Sequence, residues 1–328
     1  MAIPAPSGIQ TGRPAGTSAG ASASRMAEDI AAARGAIANV VPILRHLLRS
    51  DDNSIFSDEI IARVRGMFLD VARQLVVALA EAAGHAEPEG WAHEAADELA
   101  HLLADNSAFL EHFHTLALEW QWTSRLERSR GLDPVLPPLL QSRMADTDAE
   151  VSAGAMGLLA AQARFCQNQR RMQLPLEELP GDLVHMALMT LRGHVGVDAS
   201  SESYAVVAER SVRARIDETR SRLARMSSLL DSMGGEAGAA LDLDKAGFAM
   251  FLTAFARGSG LSREAAIMAT VDSQLPRLML ALRACGLSST AVVATAQALH
   301  PDAVLPGGHA ELTPAAAAAL LVQAGDRM

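Results

Sequence analysis

The segment HEAADELAH at 93–101 carries the residue types best suited to chemistry. His93, Asp97 and His101 recur every four residues, so on a helix they share one face. Two imidazoles and a carboxylate on one face form a ligand set for a divalent metal. The competing reading is a solvated polar face opposite Ala95, Leu99 and Leu102. His112 and His114 follow, but residues two apart point about 200° from each other on a helix, so at most one of them could join such a site. His46 suggests a second chemistry. Its imidazole is flanked by Arg45 and Arg49, cations that would offset the charge of an anionic group placed there. A histidine near a helix C-terminus also complements the dipole without any such role. A third set lies within 200–233, where Arg213, Arg220 and Arg225, with Arg210, Arg215 and Arg222, could meet an acidic protein partner. Against them stand Glu209, Asp217, Glu218 and Asp231. The pairs Glu209–Arg213 and Glu218–Arg222 are four apart, which suits an exposed, ion-paired face stabilised by about 0.3 kcal/mol per pair.

Each set departs from the fuller pattern that its chemistry uses. HEAAD resembles the HExxH box of zinc peptidases but places Asp97 where the second histidine belongs. The run His46-Leu47-Leu48-Arg49 is similar to the phospho-accepting helix of bacterial histidine kinases and phosphotransfer proteins. Leu47 stands where an acid is usual, and no nucleotide-binding module follows. Lys245 is the only lysine and precedes Ala246, so it cannot serve a Gly-Lys-Ser/Thr phosphate loop. Cys166, beside Phe165 in an amphipathic run, reads as a buried inert thiol.

These residues need a scaffold, and composition points to helices. Of 328 residues, 49% are hydrophobic and only 4% aromatic. Small aliphatic side chains favour helix-on-helix packing over a β-sandwich. A net charge of −10 argues against non-specific binding to nucleic acid or anionic lipid, and no aromatic residues interleave with the arginines to stack on bases. Two cysteines in no metal or redox spacing suit a reducing compartment. No run reaches the roughly 20 apolar residues of a membrane span, and the N-terminus lacks the apolar core of a secretory signal. The expectation is a cytoplasmic protein.

Residues 1–23, rich in Pro, Gly, Ser and Ala, read as a disordered tail. Helical periods then cover 24–50 (with Pro42 as a kink), 57–83, 91–104 and 107–130. Gly131 and the prolines at 134, 137 and 138 mark a joint, giving an N-terminal helical lobe over 24–130 and a C-terminal helical domain over 131–328. In the second part, helices are expected over 147–172, 182–192 and 314–324. The longest is expected at 200–233, where Val212, Ile216, Thr219, Leu223, Met226, Leu230 and Met233 form one stripe. Gly260-Leu261-Ser262 and Gly286-Leu287-Ser288 each read as a left-handed helix stop followed by a capping serine. The fold class is all-α, an antiparallel helical bundle with helix-corner-helix repeats in its C-terminal half.

The runs RMQLPLEELPGDLVHMAL, KAGFAMFLTAFARGSGLSREAAI and QLPRLMLALRACGLSSTAVVATAQALHPD resemble the bacterial family catalogued as domain of unknown function 2336, over roughly residues 150–325. The resemblance implies an all-helical protein and transfers no activity. Together the residues suggest a non-catalytic interaction or regulatory scaffold that binds a protein partner or associates with itself. The alternatives are a metal-binding helical-bundle enzyme using His93, Asp97 and His101, and a phosphorelay component using His46.

Overall fold

The computed structural model describes residues 24–31, 57–195 and 199–323. Among them every regular element is a helix, in agreement with the all-α expectation. His46 and Pro42 lie outside the described residues. Helix α1 (24–31) buries Met26 and Ile30. Helix α2 (Asp58–Ala82) buries Val64, Met67, Phe68, Val71 and Leu75 on one stripe and packs most extensively on α3 (Pro88–Ala104). Each such side chain removed from water contributes about 2 kcal/mol.

Helix α4 (Ser107–Arg130) is the central element. Asn106 caps it, accepting from the Ala108 N–H at 2.9 Å, and Gly131 at φ 66° stops it. Every residue from His112 to Trp120 is buried, whatever its polarity. A helix covered on all sides has no free stripe, which is the mark of a core helix. It touches α2 on one side and α10 (Leu243–Ser259) and α11 (Arg263–Ala269) on the other. The buried apolar side chains form one contiguous cluster from Met26 to Leu321, which runs on across Gly131.

The proline-rich joint itself holds a short helix, α5 (Pro138–Met144), with proline at its first position, where the missing N–H costs nothing. Helix α6 (Ala149–Arg170) follows, capped by Asp148, and then α7 (Gly181–Val195).

The continuous helix expected over 200–233 is not found. Two helices occupy that stretch, α8 (Ala199–Arg215) and α9 (Arg222–Ser232), separated by a 3₁₀ turn at Glu218–Arg220. Local side chains cap the break. The Asp217 carboxylate accepts from the Thr219 N–H at 3.1 Å, and the Ser221 hydroxyl accepts from the Ala224 N–H at 3.3 Å. Short polar side chains that bond the backbone in this way compete with the helical ladder.

Both glycine-serine corners adopt the expected local geometry. Gly260 and Gly286 have φ of 71° and 88°, and Ser262 and Ser288 accept from the N–H three residues on. The first corner joins α10 to α11. The second joins α12 (Leu275–Ala284) to α13 (Ser289–Leu299), ahead of α14 (Pro314–Gln323).

Candidate functional site

The break between α8 and α9 opens onto a cleft of about 350 Å³. Arg164 and Asn168 reach it from α6, Pro175, Glu177 and Glu178 from the following loop, and Arg215, Asp217, Arg220, Ser221 and Arg225 from the break itself. Each wall is held by a specific arrangement. The loop is fixed from α2, where Gln74 acts like a neighbouring strand. Its amide N–H donates to the Leu174 carbonyl at 2.9 Å and its amide oxygen accepts from the Leu176 N–H at 3.0 Å. Asp70 adds a bond from the Leu174 N–H at 3.0 Å. Across the cleft, Arg225 lies over Gly157 of α6, where an added Cβ would overlap its guanidinium.

Next to Ser221 of the cleft lining, a buried charge cluster begins at Arg222. Glu119 of α4 is fully buried and Arg222, the first residue of α9, is 1% exposed. The Arg222 guanidinium donates to both Glu119 oxygens, at 2.5 and 3.1 Å, and to Gln162 Oε1 at 3.2 Å. Its plane stacks over Phe165 with the central carbon 3.7 Å from the ring centroid. Arg263 of α11 donates to Glu119 at 2.8 Å and to the Thr253 hydroxyl at 2.8 Å. Burial alone would raise the Glu119 pKa, but the two guanidiniums more than offset it and hold it at about 2. For Arg222 desolvation pulls the other way, and the attraction of Glu119 outweighs it, so its pKa is raised. The helical pair expected between Glu218 and Arg222 is therefore absent; Arg222 points into the core instead.

Charges at the cleft wall are only partly matched. The Asp217 oxygen is taken by the Thr219 hydroxyl at 2.6 Å and by the Thr219 N–H. Burial pushes the Glu178 pKa up, against the pull of Arg222 and Arg164. Arg225 donates to the Arg220 carbonyl at 3.0 Å. Among the described residues, no carboxylate lies within ion-pair distance of Arg164, Arg215 or Arg220. A second hollow of about 230 Å³ adjoins the first, sharing Glu177 and Arg215 and edged by Arg73, Glu81 and Glu89.

The three arginines singled out in sequence thus part company. Arg220 and Arg225 line the cleft, while Arg213 sits further along α8, paired with Glu209 at 2.9 Å and facing His185 at 3.0 Å. His93, Asp97 and His101 are exposed on α3, as helical spacing requires. They do not come together as ligands. The His101 Nδ1 turns back to the Asp97 carbonyl at 2.7 Å, and among the described residues no three His, Cys, Asp or Glu side chains are placed to hold a metal ion. His112 and His114 are core residues with pKa values lowered to about 4, by desolvation in both cases. Burial pushes the Cys166 thiol up to about 11, as suits an inert core thiol.

Sequence reasoning missed Glu119, Gln162 and Arg263. Glu119 carried a signal, since an acid inside the run LALEWQW has apolar residues on every side and needs a buried partner. Among the described residues no helix is long and apolar enough to cross a membrane. No family model, curated protein or solved structure matches the chain.

Proposed function

We propose that this chain is a non-catalytic helical scaffold that binds a protein partner, and that the cleft at the α8/α9 break is its working surface. One observation carries this reading. Four arginines, Arg164, Arg215, Arg220 and Arg225, converge on a cleft in a chain whose net charge is −10, and among the described residues none of the four has an ion pair. Guanidinium forks without acceptors are the usual receptors of carboxylate and phosphate. Against the carboxylates Glu177, Glu178 and Asp217 these four arginines leave the lining with a small positive excess, which favours an acidic partner at that place. Arg225 is held in place by its bond to the Arg220 carbonyl, and a pre-ordered arginine loses less entropy on binding than a free one. The likeness of residues 150–325 to family 2336 brings no activity with it.

The test is photocrosslinking in cells from a benzoylphenylalanine at position 168, since Asn168 lines the cleft. A protein adduct through an acidic segment is expected, and it should be lost in Arg164→Ala/Arg220→Ala. An adduct that is indifferent to both arginines, or no protein adduct at all, would refute the proposal.

A further inference from the structure

The geometry points to a phosphate monoester or free phosphate dianion as the group that the cleft takes, a step that rests on the cleft being the working surface. The argument begins with what the arginines lack. Arg164, Arg215 and Arg220 present planar forks of N–H donors to a hollow of about 350 Å³, with no ion-pair partner among the described residues. Three carboxylates, Glu177, Glu178 and Asp217, line the cleft as well, but none forms an ion pair with these arginines, and Asp217 is bonded to Thr219. Asn168 adds an amide on the same wall.

A phosphate suits this arrangement better than a single carboxylate for two reasons. It carries about −1.5 to −2 charges at pH 7, against −1, and offers three acceptor oxygens in place of two. Guanidiniums approaching from α6 on one side and from the α8/α9 break on the other can therefore each meet an oxygen of one group. A carboxylate, being flat, satisfies a fork from one direction. The volume also leaves room beside the phosphate for part of whatever bears it.

The buried cluster bears on this as well. Glu119 engages the guanidiniums of both Arg222 and Arg263 in the core, through bonds of 2.5 to 3.1 Å, and neither arginine lines the cleft. The wall arginines are therefore the ones left for a ligand. Arg225 is held by its bond to the Arg220 carbonyl and by its seat over Gly157, which places a fourth cation without spending it on a carboxylate.

The experiment is calorimetric titration of the full chain at constant ionic strength. The probes are inorganic phosphate, a phosphoserine peptide, the same peptide unphosphorylated, and succinate. Saturable binding of at least one phosphate probe is expected, with Arg164→Gln/Arg220→Gln weakening it by roughly tenfold or more. Both side chains are exposed, so the variant should keep the wild-type circular dichroism spectrum and melting temperature. A phosphopeptide that binds more tightly than both its unphosphorylated twin and free phosphate identifies a carried phosphate; equal binding of the two phosphate probes identifies the free ion. No saturation by either phosphate probe, equal binding of succinate, or affinity unchanged in the double variant would overturn the inference. If the phosphate probes fail while the position-168 adduct persists and still needs the arginines, the partner reading stands and the phosphate chemistry falls. If both fail, both fall.

Discussion

Replacing Glu119 by glutamine keeps the shape of the side chain and removes its charge. Arg222 is then left buried at 1% exposure with no counter-charge, and Arg263 loses its carboxylate as well. Removing one member of a buried pair costs about 3–5 kcal/mol. The depressed pKa of Glu119 gives a similar figure. A fall from 4.5 to about 2 corresponds to about 3 kcal/mol. That is a large part of the total for an ordinary domain, about 5–15 kcal/mol. The loss should appear as a lower urea midpoint at pH 7. It should be accompanied by faster hydrogen exchange across Arg222–Ser232, because Arg222 is the anchor of that helix. The pH dependence has a definite sign. The folded pKa lies below the unfolded one, so the contribution of Glu119 is complete above about 4.5 and is lost as pH falls towards 2. The glutamine variant should lack that acid limb. Glu119→Leu combined with Arg222→Met should recover most of the loss, since apolar side chains of similar volume replace a buried pair at little cost. A single-variant loss below about 1 kcal/mol, or a double variant no more stable than the single one, would refute the assignment of this cluster as the anchor of α9.

Gln74→Ala should cost about 2 kcal/mol by removing the bonds to Leu174, Leu176 and Asp70; thermal denaturation and exchange of the Leu176 amide report it. Gly157→Ala should separate stability from binding, because alanine favours the interior of α6 by up to about 1 kcal/mol while its Cβ displaces the Arg225 guanidinium. A melting temperature that rises while phosphate affinity falls is the expected result. His112 and His114 are held neutral down to about pH 4 by burial, against 6.5 when unfolded, so the unfolded chain binds more protons between those values and stability falls as pH drops from 6.5 towards 4. His114→Leu should flatten that limb in melting temperature against pH. Asp217→Ala/Ser221→Ala removes two side-chain caps worth about 1 kcal/mol each, and helical ellipticity should not rise, because Arg222 still fixes the turn; a gain in helix would mean that the caps alone make the break.

Helix identity was legible wherever an apolar period of about 3.6 ran between good stop signals. The glycine-serine corners at 260–262 and 286–288 and the stop at Gly131 are such places, because cap geometry is local. The buried cluster was not legible for the opposite reason. Glu119 and Arg222 are 103 residues apart, and nothing in the period of either helix ties one to the other. Arg222 instead had a nearer candidate in Glu218, four residues back, and local spacing favours that pair. The metal set failed on a different ground. Spacing by four puts His93, Asp97 and His101 on one face but says nothing about whether their polar atoms converge, and the His101 ring bonds its own helix.

The break at 216–221 and the cleft are consequences of one phase shift. On α8 the core face runs through Ala205, Ala208 and Val212, all buried. Ten residues beyond Val212, a straight helix turns by 1,000°, leaving Arg222 about 80° from that face. Met226, Leu230 and Met233 are buried as the expected stripe requires, but Arg222 is buried with them, while Ile216 and Leu223 are only half covered and Thr219 is exposed. The 3₁₀ turn therefore rotates the second helix until an arginine, in place of a leucine, faces the core. Such a rotation is unfavourable without a buried acid to receive the charge, and Glu119 supplies it. The same turn leaves Arg215 at the end of one helix, Arg220 in the break and Arg225 on the flank of the next, gathered around one cleft.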